Sequence, residues 1–234
     1  MSRGSRNAVE SKKVGSEDII VVQLPTDRFL GQIPSHYNPL LDEQGRHCVM
    51  LLAQDCSQCS FGDGEAGPTQ ELHLWLQVGS SIDDRRIEGA DLMLPSQHWL
   101  ALFVATSNPE VEANLRSFGF DPIRLAGVDR QLGGGSVELQ DGARIEWTIA
   151  GRGRGPAKVG VHHVMYMPDD GPDAEGHRVA ALITDAMMGQ PGELCVHTSA
   201  LEPFRLPGER LSAVVHRMPK LEADVVWRRR SKTL

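Results

Sequence analysis

No run of about 18 consecutive apolar residues occurs in the 234-residue chain, so the sequence holds no candidate transmembrane helix. The opening stretch "MSRGSRNAVESKKVGSEDII" is charged and lacks the apolar core of a secretory signal. The cytoplasm is therefore the expected compartment. A basic excess is also missing: the formal net charge is −7, which argues against a nucleic-acid partner. The basic runs "GRGRGPAK" at 151 to 158 and "WRRRSK" at 227 to 232 read as a turn and a solvated tail.

Several familiar chemistries lack their signatures. Cys56 and Cys59 form C-x-x-C, but Cys48 and Cys195 do not supply the second pair that a zinc site needs. No helix start follows Cys56 to lower a thiol pKa, so reduced structural cysteines are expected. The histidines make neither H-x-H nor H-E-x-x-H, and nothing in their spacing calls for a metal. G-x-S-x-G is absent, which leaves the usual hydrolase serine without a candidate. "GGGS" at 133 to 136 has no lysine and precedes a strand, so it is a turn and not a phosphate loop.

What the chain does contain is short strands separated by glycine-rich turns. The periodicity predicts strands at 18–22, 47–54, 70–78, 98–105, 136–140, 143–149, 158–167, 179–183, 193–198, 212–217 and 221–227. "QDGA" carries the Asp-Gly of a type I′ hairpin. One helix is expected at 109–118, with Asn108 as its cap, Pro109 in its first turn and Gly119 as its stop; 37–43 and 184–188 are candidates for a turn each. Residues 1–17 are polar and without periodicity, and are expected to be disordered. A single mainly-β domain then spans 18–228, followed by a basic tail at 229–234.

Two strands place polar groups where chemistry could use them. In "QELHLWLQV" Glu71, His73, Trp75 and Gln77 share one face, opposite Leu72, Leu74, Leu76 and Val78. That polar face is either solvated or the wall of a cavity, and Trp75 argues against leaving it in water. In "KVGVHHVMYM" His163 is in line with Val159, Val161, Met165 and Met167. It is either a hydrogen-bonded core histidine or a cavity-lining acid or base.

The segment "FGFDPIRLA" at 118 to 126, behind a strand and a helix, resembles the acetoacetate decarboxylase family. Members of that family carry a helix ending in Gly-Phe-Pro-Lys, followed by a basic residue and Leu-Ala. The likeness extends at the level of pattern over about residues 45 to 228. It implies a closed, conical, antiparallel β-barrel with an internal cavity, one or two short helices packed outside, and homo-oligomers. It also implies an active-site glutamate at Glu71 and a cationic neighbour at Arg124.

The family's nucleophile is a lysine that forms a Schiff base with a β-keto acid. Aligned on Pro122, that lysine falls on Ile123. The chain's five lysines are Lys12, Lys13, Lys158, Lys220 and Lys232. Lys12, Lys13 and Lys232 fall in the expected disordered ends, and Lys158 and Lys220 at exposed strand starts. The expectation is therefore an enzyme without cofactor, metal or covalent lysine intermediate, acting on a polyketide-like or β-oxygenated small molecule by cyclisation or a lyase-type step. Glu71, Arg124 and His163 are the candidate catalytic groups, with His73, Trp75, Phe120, Ile123 and Met165 around the substrate. A non-catalytic binding protein and a lysine-independent decarboxylase are the alternatives.

Overall fold

The computed structural model describes residues 8–25, 33–81, 86–151, 155, 158–170, 174–197 and 210–228. The chain order is β1 (Ala8–Pro25), β2 (Arg46–Phe61), β3 (Gly64–Glu65), β4 (Thr69–Ser81), β5 (Leu92–Met93), β6 (Ser96–Thr106) and α1 (Pro109–Ser117). Then follow β7 (Ile123–Gln131), β8 (Gly134–Leu139), β9 (Arg144–Ile149), β10 (Lys158–Tyr166), β11 (His177–Thr184), β12 (Met187–Val196) and β13 (Arg210–Arg228).

Where β1, β2 and β6 are buried on both faces they carry continuous apolar runs, at 19–22, 49–53 and 99–105, whereas the buried part of β4 mixes leucines with Glu71 and His73. Ile20, Val22, Leu51, Leu72 and Leu74 face one core, together with Leu125, Val137, Ile145, Trp147 and Leu194. Ile19, Met50, Leu52, Trp75 and Trp99 face a second core, together with Val161, Ile183, Met218 and Leu221. A period of two sends neighbouring residues to opposite cores, which is why a one-residue slip would be disastrous here.

The pairing path explains the two cores. Strands β13, β1, β2, β4 and β6 are hydrogen-bonded in that order. Two routes lead from β6 back to β13: one through β10 and β11, the other through β7, β8, β9 and β12. The hydrogen-bonded strands thus form two rings that share a common wall. The resemblance implies an antiparallel barrel, but the sheet is mixed: β6 pairs in parallel with both β7 and β10, and β5 with β10.

Four other expectations are corrected. Residues 8–17, expected to be disordered, form the first half of β1 and pair with both β13 and β2. The two C-terminal strands expected at 212–217 and 221–227 are one strand, β13, which changes neighbour from β12 to β11 around Pro219. The turn after β8 has positive φ at Gly142 alone, so it is not type I′, which needs it at both central residues. Neither 37–43 nor 184–188 is helical. The expected disorder of residues 1–7 and the expected tail at 229–234 lie outside the described residues.

Helix α1 has the expected ends. Asn108 Oδ1 accepts from the backbone N–H groups of Glu110 at 2.8 Å and Val111 at 3.3 Å. Gly119, at φ 97°, lets Phe120 N–H return to Leu115 O at 3.1 Å. Its apolar stripe, Val111, Leu115 and Phe118, joins the second core beside Phe61 and Trp227.

Candidate functional site

Five inward positions of β1, β2 and β4 build a polar, charged cluster at the edge of the second core. Lys13 is only 4% exposed, and its Nζ donates to Glu71 Oε2 at 2.7 Å. His73 Nε2 meets the same oxygen at 2.8 Å. Lys13 also donates to Gln54 Oε1 at 3.4 Å. An ammonium can only donate, so it fixes the Gln54 amide with its NH2 directed away; Gln54 Nε2 donates to Glu17 Oε1 at 2.6 Å.

The electrostatics divide these groups sharply. Burial alone would push the Glu71 carboxyl up, but Lys13 and His73 hold it down at about 2. Burial likewise opposes the charge on Lys13, and Glu71 overrides it, so the ammonium is held above its ordinary value. The two form a locked ion pair. Burial lowers His73 despite Glu71, leaving the imidazole neutral. Glu17 is different: burial pushes its carboxyl up to about 7, only partly offset by the Gln54 hydrogen bond and the charges of Lys13 and Arg130.

Inside the ring that runs through β10 and β11 lies a cavity of about 360 Å³. Its apolar wall includes Ile19, Met50, Leu52, Val161, Ile183 and Leu221, and its polar groups are Glu17, Gln54, Gln77, Gln97, His163 and His216. None of the described lining residues is a lysine or an arginine. Trp75 and Trp99 each meet His163 edge to face, at ring-centroid distances of 6.3 and 6.0 Å, and tilt against each other at 6.4 Å. Trp99 Nε1 donates to His163 Nδ1 at 3.3 Å, so the ring proton of a neutral His163 sits on Nε2. Burial, aided by His162, pulls His163 down to about 3, so it is neutral at physiological pH. The Trp75 indole N–H is buried with no partner among the described residues.

The structure brings some sequence-predicted residues together and leaves others out. Glu71, His73 and Trp75 do share a buried face, and Trp75 and His163 line the cavity. Glu71 and His73 adjoin that space through Gln54 and Trp75 but do not line it. Arg124 is corrected: in register it is two strands from Glu71, through Thr106, but its side chain is 58% exposed and its Nε donates to Glu112 Oε2 at 3.2 Å. Asp121, which separates Phe120 from Pro122 where the family pattern joins them, sits outside as well, on Arg116 at 2.6 Å. Ile123 is 42% exposed, Phe120 packs on His177 and Trp227, and Met165 is buried without reaching the cavity.

Sequence reasoning missed Lys13 and Glu17. Both stand on β1, within residues set aside as disordered. One signal was available: Glu71 shares a strand face with Trp75, and a glutamate on such a face requires a cation once the face is buried, while few lysines exist to supply it. The cysteines behave as expected. All four are free, and burial pushes Cys56 up to about 12 and Cys59 up to about 11. Among the described residues no group of three or more histidine, cysteine, aspartate or glutamate side chains could hold a metal ion. No described helix is long and apolar enough to cross a membrane.

No family model and no curated protein matches the sequence. Solved structures do match the fold. An acetoacetate decarboxylase-like enzyme from Sphingomonas wittichii RW1 superposes with a TM-score of 0.53 at 13% identity, covering 97% of this chain and 94% of the other. The acetoacetate decarboxylase of Legionella pneumophila gives 0.53 at 14%, covering 94% and 85%. The enduracididine biosynthesis enzyme MppR gives 0.51 at 12%, also covering 94% and 85%. The chain thus has the fold of the acetoacetate decarboxylase-like enzymes.

Proposed function

We propose that this protein is an enzyme that binds a polyketide-like or otherwise β-oxygenated small molecule in the ring cavity. It then catalyses a lyase-type or cyclisation step without a Schiff base. The observation that carries the reading is the state of Lys13. It is a lysine buried beside Glu71, the residue to which the resemblance assigns the active-site glutamate. Yet it is committed to an ion pair, held protonated, and kept off the cavity wall. A protonated, sequestered ammonium is no nucleophile.

Glu71, the candidate active-site glutamate, is equally committed; it orients Lys13 and His73 and supports the wall formed by Gln54. His163 contributes as a neutral hydrogen-bond donor from Nε2, and Trp75 and Trp99 shape the apolar surface on which a flexible substrate folds. We read the two strand rings as this chain's version of the family's closed conical barrel, and self-association belongs to the same reading. The cavity's volume falls in the range of small-molecule sites.

The test is to follow β-hydroxy ketones, with β-keto acids for comparison, by NMR, and in a separate sample to add borohydride and read the protein's intact mass. Conversion without a mass adduct is the expected result. Unchanged ligand throughout would make the protein a carrier or sensor. A stoichiometric adduct on any lysine would restore the covalent mechanism.

A further inference from the structure

We propose that Glu17 is the proton-exchanging group of the cavity and that the ligand is an uncharged ketone or thioester-like carbonyl compound bearing a proton on the carbon next to that carbonyl. The inference deepens the enzyme reading given above and rests on it. Three observations carry it. Glu17 reaches the cavity wall from β1, while one of its oxygens is fixed by Gln54. The Gln54 amide is in turn oriented by Lys13. The wall also presents two neutral donors: the Trp75 N–H, buried without a partner among the described residues, and the Nε2–H of His163. Finally, the described lining contains no cation to receive a carboxylate, and burying an unpaired anion beside Glu17 would cost far more than burying a ketone.

The step balances without any further reagent. The Glu17 carboxylate takes the proton from the carbon α to the carbonyl. The C–H electron pair forms the enolate C=C, and the carbonyl π pair moves to oxygen, where the Trp75 and His163 donors stabilise it. Returning the proton to carbon gives exchange. Where a β-hydroxyl is present, collapse of the enolate breaks the β-C–O bond while the Glu17 carboxylic acid protonates the departing oxygen. The products are the enone and water, and Glu17 is a carboxylate again. A general base works best with a pKa near the operating pH, and burial holds Glu17 there at about 7. The charged and titratable groups around it are Lys13 and Asp18 on its own strand, Cys56 on β2, Arg130 on β7, and Arg217 on β13, with His163 and His216 on the cavity wall.

The probes are 4-hydroxy-4-phenylbutan-2-one and its carboxylate counterpart 3-hydroxy-3-phenylpropanoate, in deuterated buffer. Proton NMR reads deuterium uptake at the methylene carbon and dehydration to the enone, and titration reads affinity. The wild-type protein should exchange the ketone, following an apparent pKa near 7, and bind the carboxylate at least about tenfold more weakly. Glu17→Gln keeps the acceptor for Gln54 and should lose about 100-fold in exchange with affinity within about threefold. Trp75→Phe should slow exchange by about tenfold or more and leave the pH profile in place. Exchange by Glu17→Gln at the wild-type rate, or equal affinity for the carboxylate, overturns the assignment of Glu17 and of the ligand class alone. A wild-type protein that binds the ketone without exchanging it, or binds neither probe, overturns the enzyme reading and this inference with it.

Discussion

At the residue scale, the decisive contrast is between two basic side chains. Lys13 is buried against Glu71, and breaking such a pair by removing one partner leaves the other charge without compensation. Lys13→Met should therefore cost about 3–5 kcal/mol of stability, measured by urea unfolding at neutral pH. The double variant Lys13→Met with Glu71→Leu should recover most of that loss, because neither charge then remains. A loss below about 1 kcal/mol for the single variant would mean that Lys13 is solvated. Arg124 gives the opposite expectation. Its ion pair with Glu112 is on the surface, so Arg124→Ala should change stability by less than about 1 kcal/mol and leave ligand affinity in the cavity unchanged. The resemblance points to Arg124 as a position in the chain, and in register that position lies beside Thr106, in the row of Glu71. It could not say which way the side chain turns, since that depends on Glu112 of α1 accepting it.

At the element scale, β1 separates what the sequence displayed from what it hid. Apolar alternation around Ile19, Leu74 and Val161 was legible because burial on a strand leaves a period of two or a continuous apolar run. The first half of β1 carries Ser11, Lys13 and Glu17 inward, and each is satisfied by a partner distant in the chain: Trp227 Nε1 on Ser11, Glu71 on Lys13 and Gln54 on Glu17. Polar groups satisfied across strands look, one strand at a time, like a solvated tail. The helix, by contrast, was fully legible, because its caps are local chemistry between Asn108 and the N–H groups two and three residues on. A bulge at Gly15 lets β1 continue past this polar stretch, with the register shifting on both of its sides. A Cβ at residue 15 would lie 2.3 Å from Asp55 O, so Gly15→Ala must displace β2 backbone next to Gln54 and Cys56. The expected cost is about 1–3 kcal/mol, read by thermal unfolding, together with weaker binding in the cavity. An unaltered melting temperature would show that β1 and β2 separate freely there.

At the scale of the whole molecule, the buried carboxylates set opposing slopes in stability against pH. Glu71 is held at about 2, below its ordinary 4.5, so its contribution is present above 4.5 and is lost as pH falls through about 2. Asp18, in the other core, is also lowered, against burial, by Arg217 and Arg130 and acts in the same direction. Glu17 has the reverse sign. Its folded value of about 7 exceeds its ordinary 4.5, so the folded protein holds this proton more tightly than the unfolded chain. The resulting stability is fully present below 4.5 and is lost as pH rises through about 7. That interval corresponds to at most about 3 kcal/mol. The molecule therefore tolerates a destabilising acid at its cavity wall at the pH where it would work, as functional sites commonly do. Glu17→Gln removes the ionisation while retaining the Gln54 contact. At pH 4 the variant should match the wild-type protein within about 0.5 kcal/mol, and at pH 8 it should exceed it by about 1–3 kcal/mol. Urea unfolding of both proteins at the two pH values reads the difference directly. A gap that does not change with pH would mean that Glu17 titrates as an ordinary solvated carboxyl, and the cavity would then lack its proton-exchanging group.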